Sequence, residues 1–290
     1  MISPSVTSLV AGLALLGSTV QGASLEPVSD FGDNPTGVGM YIYVPDAVSE
    51  NPALIIALHY CGGTAEAYFG GTAYASLADE KGFIVVYPQT SDASGCWDVH
   101  TEETLTHDAG GDSLGVASII RYTTEQYGVE ASQVFVTGSS SGAMMTQVLA
   151  GAYPDLFVAG AAFSGVPYGC FEGEGYWSGE CAGGTLIKSA EEWGDQVRAG
   201  YPGYNGTRPS LQVWHGNADT TLSYQNLAES NKQWSNVFGI ENTANNTDTP
   251  QPGYTEMVFG DGTQYIAYSA DGVGHGVPED ADTVLAFFGL

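Results

Sequence analysis

Positively charged side chains are scarce in this sequence of 290 residues. Six lysines and arginines stand against 33 aspartates and glutamates, which gives a formal net charge of −27 at pH 7. A surface of this charge repels the phosphates of nucleic acids and the head groups of anionic lipids. We therefore expect no nucleic-acid partner and no membrane partner, and we expect a monomer that is soluble in an acidic medium.

Long apolar runs are also missing, apart from one near the N-terminus. Residues 9–17 are apolar or glycine, but this stretch is too short to span a bilayer, and small residues follow it near position 22. The pattern predicts a secretory signal peptide over residues 1–22 and an extracellular protein. An apolar first strand is the alternative, because the segment has no basic side chain. We find no internal repeat and no linker to an appended binding module, so residues 23–290 are expected to form one domain.

Cysteine is sparse, with four residues in the chain. In an exported protein four cysteines indicate two disulfides, which can be connected in three ways. Cys170 and Cys181 bracket a glycine-rich stretch and could close a short loop, which would leave Cys61 to pair with Cys96. The sequence alone leaves the pairing open. Buried reduced thiols are the alternative, and they are unusual outside the cytosol.

Recognisable metal motifs are lacking as well. One cluster of possible ligands consists of His100, His107, Asp108 and Asp112. Its spacing matches no specific metal geometry, so we interpret it as a structural loop and expect no metal and no cofactor. Two sequons, at Asn205 and Asn245, lie in polar, turn-rich stretches and are candidate N-glycosylation sites.

Apolar runs of strand length alternate with helical patterns along the chain. The predicted strands are residues 40–44, 54–59, 83–87, 134–137, 158–163, 211–214 and 265–268. Apolar residues recur at helical spacing over 116–127, and a closing helix is expected near 281–288. This alternation predicts an α/β fold with a mainly parallel central sheet and helices on both faces.

A G-x-S-x-G motif at residues 138–142 follows one of these strands and precedes a helical pattern. A serine at the tip of such a strand-to-helix turn projects its hydroxyl above the sheet, and the glycines leave room for the close approach of the backbone. Ser140 is therefore the candidate nucleophile. The motif alone is weak in a chain with 40 glycines, where a Gly/Ser loop is the alternative.

A nucleophilic serine needs a histidine base and an acid that orients it, in the chain order serine, acid, histidine. His275, the last histidine, lies between two glycines after the final strand and is the candidate base. Asp219 follows a strand end and is the candidate acid. The acids that compete with it are Asp271, Glu279 and Asp280. We interpret His215 as a structural residue at the end of a strand.

Such a site also needs donors for the oxyanion that forms during acyl transfer. The backbone amide of Ser141 is one by construction of the turn. The loop after strand 54–59 supplies the second candidate, the amide of Cys61, which a disulfide would leave free.

Six segments together resemble fungal acetylxylan esterases of carbohydrate esterase family 1, which are related to feruloyl esterases and to poly(3-hydroxybutyrate) depolymerase-like esterases. The segments are residues 58–63, 95–98, 106–113, 138–142, 215–219 and 271–275. The resemblance runs from about residue 45 to the C-terminus. It implies the α/β-hydrolase fold and a secreted, metal-independent serine esterase that deacetylates xylan. Tyr60 departs from the pattern, because many relatives have glycine there.

Sugar rings stack on flat apolar faces, so aromatic residues in the loops are candidates for binding the polysaccharide. Trp97 and Trp177 each lie in a glycine-rich loop near a cysteine. The alternative for both is that they cover the core, and Trp214, inside a strand, is expected in the core. The main alternative function is a feruloyl esterase, which needs a deeper acyl pocket. A catalytically silent hydrolase that binds carbohydrate or protein is the alternative from another class.

Overall fold

The computed structural model describes residues 23–173 and 175–290, and the predicted signal peptide lies outside them. The strands are β1 (Leu25–Val28), β2 (Gly39–Tyr43), β3 (Leu54–Leu58), β4 (Ile84–Gln89), β5 (Val134–Ser139), β6 (Ala159–Phe163), β7 (Ser210–Gly216), β8 (Asn242–Thr247), β9 (Tyr254–Phe259) and β10 (Tyr265–Ala270). The helices are α1 (Ala65–Gly71), α2 (Tyr74–Lys81), α3 (Glu102–Leu105), α4 (Gly111–Tyr127), α5 (Ser141–Ala152), α6 (Gly179–Ala182), α7 (Ala190–Ala199), α8 (Gln225–Phe238) and α9 (Ala281–Phe288).

The strands form one sheet in the order β1-β2-β4-β3-β5-β6-β7-β10-β9-β8. Its central strands, from β4 through β3, β5, β6 and β7 to β10, run parallel. The strands outside them pair antiparallel, with β1 and β2 at one edge and β9 and β8 at the other. The carboxyl ends of the parallel strands therefore meet along one side of the sheet, where α/β proteins place their binding crevices.

Both faces of the sheet are buried, which explains the continuous apolar runs of the central strands. In β3, Leu54, Ile56 and Leu58 belong to a core shared with α4, α5, α7 and α8. Ile55 and Ala57 point to the other face, against α1, α2 and α9. The structure thus has the predicted parallel sheet with helices on both faces.

The predicted strands are all present, with boundaries that differ by at most a few residues. Three strands were not predicted, namely β1, β8 and β9. Each lies in an antiparallel part of the sheet, where polar residues interrupt the apolar pattern. The closing helix falls on the residues expected for it.

Within residues 23–173 and 175–290, no helix is both long and apolar enough to cross a membrane.

Candidate active site

Ser140 lies at the junction of β5 and α5 with φ 53° and ψ −114°, a backbone conformation that few residues other than glycine adopt. Its amide donates a hydrogen bond to the carbonyl of Phe163 at 2.8 Å, which fixes the turn to β6. A Cβ at Gly142 would overlap the carbonyl oxygen of Leu58, and a Cβ at Gly138 would collide with the backbone of Gly142. Both glycines of the motif are therefore required by close packing of the backbone.

Three predicted residues from distant parts of the sequence meet here. The Oγ of Ser140 lies 2.8 Å from Nε2 of His275. The Nδ1 of His275 lies 2.7 Å from Oδ2 of Asp219. Because the carboxylate can only accept, Nδ1 carries the proton and Nε2 is free to accept one from the serine hydroxyl. The order of contacts is that of a nucleophile, a general base and an orienting acid.

The carboxylate of Asp219 is inaccessible to solvent and well provided with donors. Burial raises its pKa, but hydrogen bonds from His215, from His275 and from the amides of Leu222 and Thr221 outweigh burial and hold the pKa of Asp219 below its usual value. Asp219 is thus ionised wherever the protein is folded near neutral pH, and an ionised acid stabilises a protonated His275.

His215, interpreted from the sequence as a structural residue at the end of a strand, also contacts this site. Its Nε2 lies 2.9 Å from the carbonyl oxygen of Leu222 and 3.1 Å from Oδ2 of Asp219, and its side chain is fully buried. Both partners are acceptors, so Nε2 carries the proton and donates to both. The i,i+4 spacing of His215 and Asp219 at the end of a strand is the sequence signal from which this contact could have been predicted.

The loop that carries His275 is held against the loop that carries Asp219. The carbonyl of Val273 accepts from the amide of Ala218 at 3.0 Å. The side chain of Asn217 bridges the two loops by donating to Asp271 and accepting from the amide of Gly272, both at 2.8 Å. Residues 215–219 therefore hold the two loops together and also supply the carboxylate of Asp219.

The acids that compete with Asp219 in the sequence have other partners. Asp271 is bound to Asn217, as described above. Glu279 accepts a hydrogen bond from Tyr68 at 2.6 Å. Asp280 caps helix α9 by accepting from the amide of Thr283. Their contacts are structural, and Asp219 is the acid that touches His275.

The amides of Cys61 and Ser141 donate to no other described residue, and both residues line the same cleft as Ser140. The hydroxyl of Ser141 accepts from the amide of Trp97 at 2.9 Å.

Two disulfides are present among the described residues. Cys61 is joined to Cys96, and Cys170 to Cys181, which is the pairing suggested by the glycine-rich stretch between Cys170 and Cys181. The first disulfide ties the loop at residues 59–63 to the segment that precedes Trp97.

The cleft above Ser140 has a volume of about 370 Å³. Its apolar and aromatic walls are formed by Tyr60, Trp97, Val99, Met144, Phe171, Tyr176, Trp177 and Leu222. Trp177 is 62% exposed, so its ring is open to a ligand. Trp97 is 1% exposed and donates from Nε1 to the carbonyl of His59, so it supports the cleft from beneath and agrees with the alternative role stated above. Trp214 is buried in β7 as expected.

The cluster suggested by His100, His107, Asp108 and Asp112 is taken up by protein contacts. His107 stacks on Tyr201 and lies 2.7 Å from the carbonyl of Ala152. Asp108 pairs with Arg121 at 3.0 Å. Within residues 23–173 and 175–290, no group of three or more His, Cys, Asp or Glu side chains is arranged to hold a metal ion. The sequon residues Asn205 and Asn245 are both exposed.

Known esterases resemble this chain over most of its length. The family model for esterase PHB depolymerase matches residues 38–175. Feruloyl esterase B of Talaromyces funiculosus is 47% identical over 287 residues, which cover 97% of this chain and 81% of that protein. Acetylxylan esterase A of Aspergillus ficuum is 47% identical over 274 residues, covering 92% of this chain and 90% of that protein. The solved structure of an acetyl xylan esterase from Aspergillus awamori matches with a TM-score of 0.90 and 46% identity, over 92% of this chain and 99% of that one.

The fold and these relatives define a carboxylic ester hydrolase with the α/β-hydrolase fold, as the resemblance implied. Within that class, the chain belongs to the family of acetylxylan esterase A and feruloyl esterase B.

Proposed function

We propose that this protein removes acetyl groups from xylan, with Ser140 as nucleophile, His275 as general base and acid, and Asp219 as the orienting acid. The observation that carries the proposal is the continuous chain of hydrogen bonds from Ser140 through His275 to Asp219, at 2.8 and 2.7 Å. The choice of an acetyl ester is supported by the solved relative with a TM-score of 0.90, which is an acetyl xylan esterase.

The reaction follows from these contacts. The Oγ of Ser140 attacks the acetyl carbonyl carbon while Nε2 of His275 takes its proton. The oxyanion that forms accepts hydrogen bonds from the amides of Cys61 and Ser141. The bond to the sugar oxygen then breaks, and His275 returns the proton to that oxygen, which leaves acetyl-Ser140. Water, deprotonated by His275, attacks the acetyl carbon. The bond from this carbon to Oγ of Ser140 then breaks, Oγ takes the proton back from His275, and acetate leaves.

The polysaccharide is proposed to bind across the rim of the cleft. Tyr60, Tyr176 and Trp177 are exposed large aromatic residues, and all three line this cleft. Aromatic rings in such positions offer flat apolar faces to sugar rings. No cofactor takes part in the proposed reaction.

Release of ferulate is the second candidate, and the volume and lining of the cleft favour it. An apolar cleft of about 370 Å³ next to Ser140 has room for an aromatic acid. Feruloyl esterase B relatives are as similar in sequence as the acetylxylan esterase relatives. The same three residues would perform this reaction.

We further propose that residues 1–22 are a signal peptide, that the enzyme acts outside the cell as a monomer, and that Asn205 and Asn245 accept glycans. The support is the apolar segment at residues 9–17 and the exposure of both asparagines. Sequencing the N-terminus of protein collected from the medium tests the signal peptide and secretion, and peptide mass spectrometry before and after enzymatic deglycosylation tests the glycans at Asn205 and Asn245. Sedimentation in the analytical ultracentrifuge measures whether the protein is a monomer.

The decisive experiment compares wild type with Ser140→Ala for acetate release from acetylated xylan and ferulate release from methyl ferulate in one buffer. Acetate release that depends on Ser140, with little ferulate, is the expected result. Predominant ferulate release would favour the second candidate. Release of neither product in a serine-dependent way would contradict both, and would favour a hydrolase fold used only for binding.

A further inference from the structure

The buried side chain of His59 is placed to control one of the two proposed oxyanion donors. His59 follows β3 and is fully inaccessible to solvent. Its Nδ1 lies 2.8 Å from the carbonyl oxygen of Tyr60, and its Nε2 lies 3.4 Å from the amide nitrogen of Thr90. The carbonyl can only accept and the amide can only donate, so Nδ1 carries the proton and Nε2 is the acceptor.

The ring is therefore neutral, with one tautomer selected by its two neighbours. Burial lowers the pKa of His59, although the hydrogen bond to the Tyr60 carbonyl acts in the opposite direction. His59 is buried and does not line the cleft, so it has no contact with the reacting groups through which to transfer a proton.

The carbonyl that His59 holds belongs to the same peptide group as the amide of Cys61. In a trans peptide the C=O and the N–H lie in one plane and point in opposite directions. The Tyr60 carbonyl also accepts from the amide of Gly63 at 2.9 Å, so two donors fix its direction. Fixing the carbonyl on one side aims the Cys61 amide toward the other, and Cys61 lines the cleft with its amide bonded to no other described residue.

The surrounding contacts make this orientation rigid. Trp97 donates from Nε1 to the carbonyl of His59 and packs against the His59 ring with centroids 5.0 Å apart. The amide of Gly62 donates to the carbonyl of Gly95 at 3.0 Å, next to the disulfide from Cys61 to Cys96. The loop at residues 59–63 is held at each end, and His59 holds its middle peptide.

We propose that His59 is a positioning residue that orients the peptide between Tyr60 and Cys61 so that the Cys61 amide faces the oxyanion. This inference rests on the proposed function, because the oxyanion exists only if Ser140 attacks an ester. His59 does not touch the substrate. It acts through the Cys61 amide, which is the group that donates to the oxyanion.

Two substitutions separate the hydrogen bond from the packing of the ring. In His59→Asn the amide nitrogen falls near the place of Nδ1 and can still donate to the Tyr60 carbonyl. In His59→Gln the longer side chain places its amide near Nε2 and leaves the carbonyl without this donor. Both variants lose the ring that packs on Trp97, so each is the control for the other.

We expect His59→Gln to lower kcat for 4-nitrophenyl acetate on the order of a hundredfold with little change in KM, because one oxyanion donor is worth a hundredfold to a thousandfold. His59→Asn should stay within about tenfold of wild type by the same scale. Thermal melting of both variants checks that they are folded. Equal kcat values for two folded variants would overturn the proposal.

Nitrogen-15 correlation spectra of the wild-type imidazole provide a test that does not depend on any variant. A proton on Nδ1 of His59, retained from pH 5 to pH 8, is expected, and a proton on Nε2 would overturn the proposal. Serine-dependent hydrolysis by the wild type, measured with Ser140→Ala beside it, tests the proposed function separately. A serine-dependent enzyme with an Nε2-protonated His59 would refute the positioning role alone.

Discussion

The Nε2 of His215 donates to Oδ2 of Asp219 from 3.1 Å, with both side chains closed to solvent. The same oxygen accepts from Nδ1 of His275, so one carboxylate oxygen is shared by two imidazoles. One of these rings faces the nucleophile, and the other is fixed in the core at the end of β7.

Replacing Asp219 by asparagine should lower kcat by about a thousandfold to ten-thousandfold, because the neutral amide no longer holds the proton on Nδ1 of His275. KM should change little, since Asp219 lies behind His275 and does not itself line the cleft. Steady-state kinetics on 4-nitrophenyl acetate measures the effect. Asp271→Asn is the matched control, as Asp271 is exposed and contacts the same pair of loops. A comparable loss in that control would contradict the assignment of Asp219.

Replacing His215 by leucine should lower kcat by about tenfold and destabilise the fold by about 1–3 kcal/mol, because buried acceptors on Asp219 and Leu222 lose their donor. Glutamine can place an amide near the position of Nε2 and should restore much of both properties. Kinetics and urea denaturation of the two variants test this. If leucine and glutamine behave alike, the donated hydrogen bond at residue 215 is unimportant.

Glu279 makes the stability of the fold depend on pH. Its Oε2 is buried without a hydrogen-bond partner in the described part of the chain. Burial raises the pKa of Glu279 from 4.5 to about 7, although the hydrogen bond from Tyr68 acts in the opposite direction. The pKa of Glu279 is higher in the folded protein than in the unfolded chain. The neutral carboxyl group therefore contributes fully to stability below pH 4.5, and this contribution is lost as pH rises toward 7. The shift corresponds to a loss on the order of 3 kcal/mol.

Glu279→Gln should remove that loss, because glutamine stays neutral. The variant is expected to unfold at higher urea concentrations than wild type at pH 8, and at similar concentrations at pH 4.5. Asp282→Asn, an exposed position in the first turn of α9, should keep the wild-type pH dependence. Parallel pH profiles for Glu279→Gln and wild type would show that Glu279 ionises freely.

Gly142→Ala should abolish activity, with a loss of at least about a hundredfold, because the added methyl group displaces the turn that holds Ser140. At Gly70, in α1, an added Cβ meets nothing within 4 Å. Gly70→Ala is therefore the control, and it should leave kcat unchanged and stabilise the helix by about 0.5–1 kcal/mol. Full activity in folded Gly142→Ala would show that the turn tolerates a shift of the β3 carbonyl.

The central sheet could be predicted from sequence because burial on both faces leaves an uninterrupted apolar run, as in β3 and β5. The outer strands lacked that signal. β1 is four residues long with a proline, and β8 has an exposed, polar sequence. Their strand conformation is set by the backbone pairing of neighbours in the sheet, which a local pattern does not encode.

Ser140, Asp219 and His275 could be named from sequence because each follows the carboxyl end of a parallel strand in a fixed chain order. The hydrogen-bond partners of the competing acids could not be predicted from sequence. Glu279 and Tyr68 are 211 residues apart in sequence, and their contact exists only because α1 and the loop before α9 cover the same face of the sheet. The burial of Trp97 likewise depends on how the loop at residues 59–63 folds over it.

Strand β8 is the outermost described strand on its side of the sheet, and Asn245 lies near its middle, exposed. An open strand edge is a template on which a second chain can add its own strand, so such edges promote aggregation unless something blocks them. A glycan on Asn245 would stand beside that edge as a bulky, hydrated barrier. The sequon would then serve solubility at high concentration in the medium, and unglycosylated protein would be the form that aggregates.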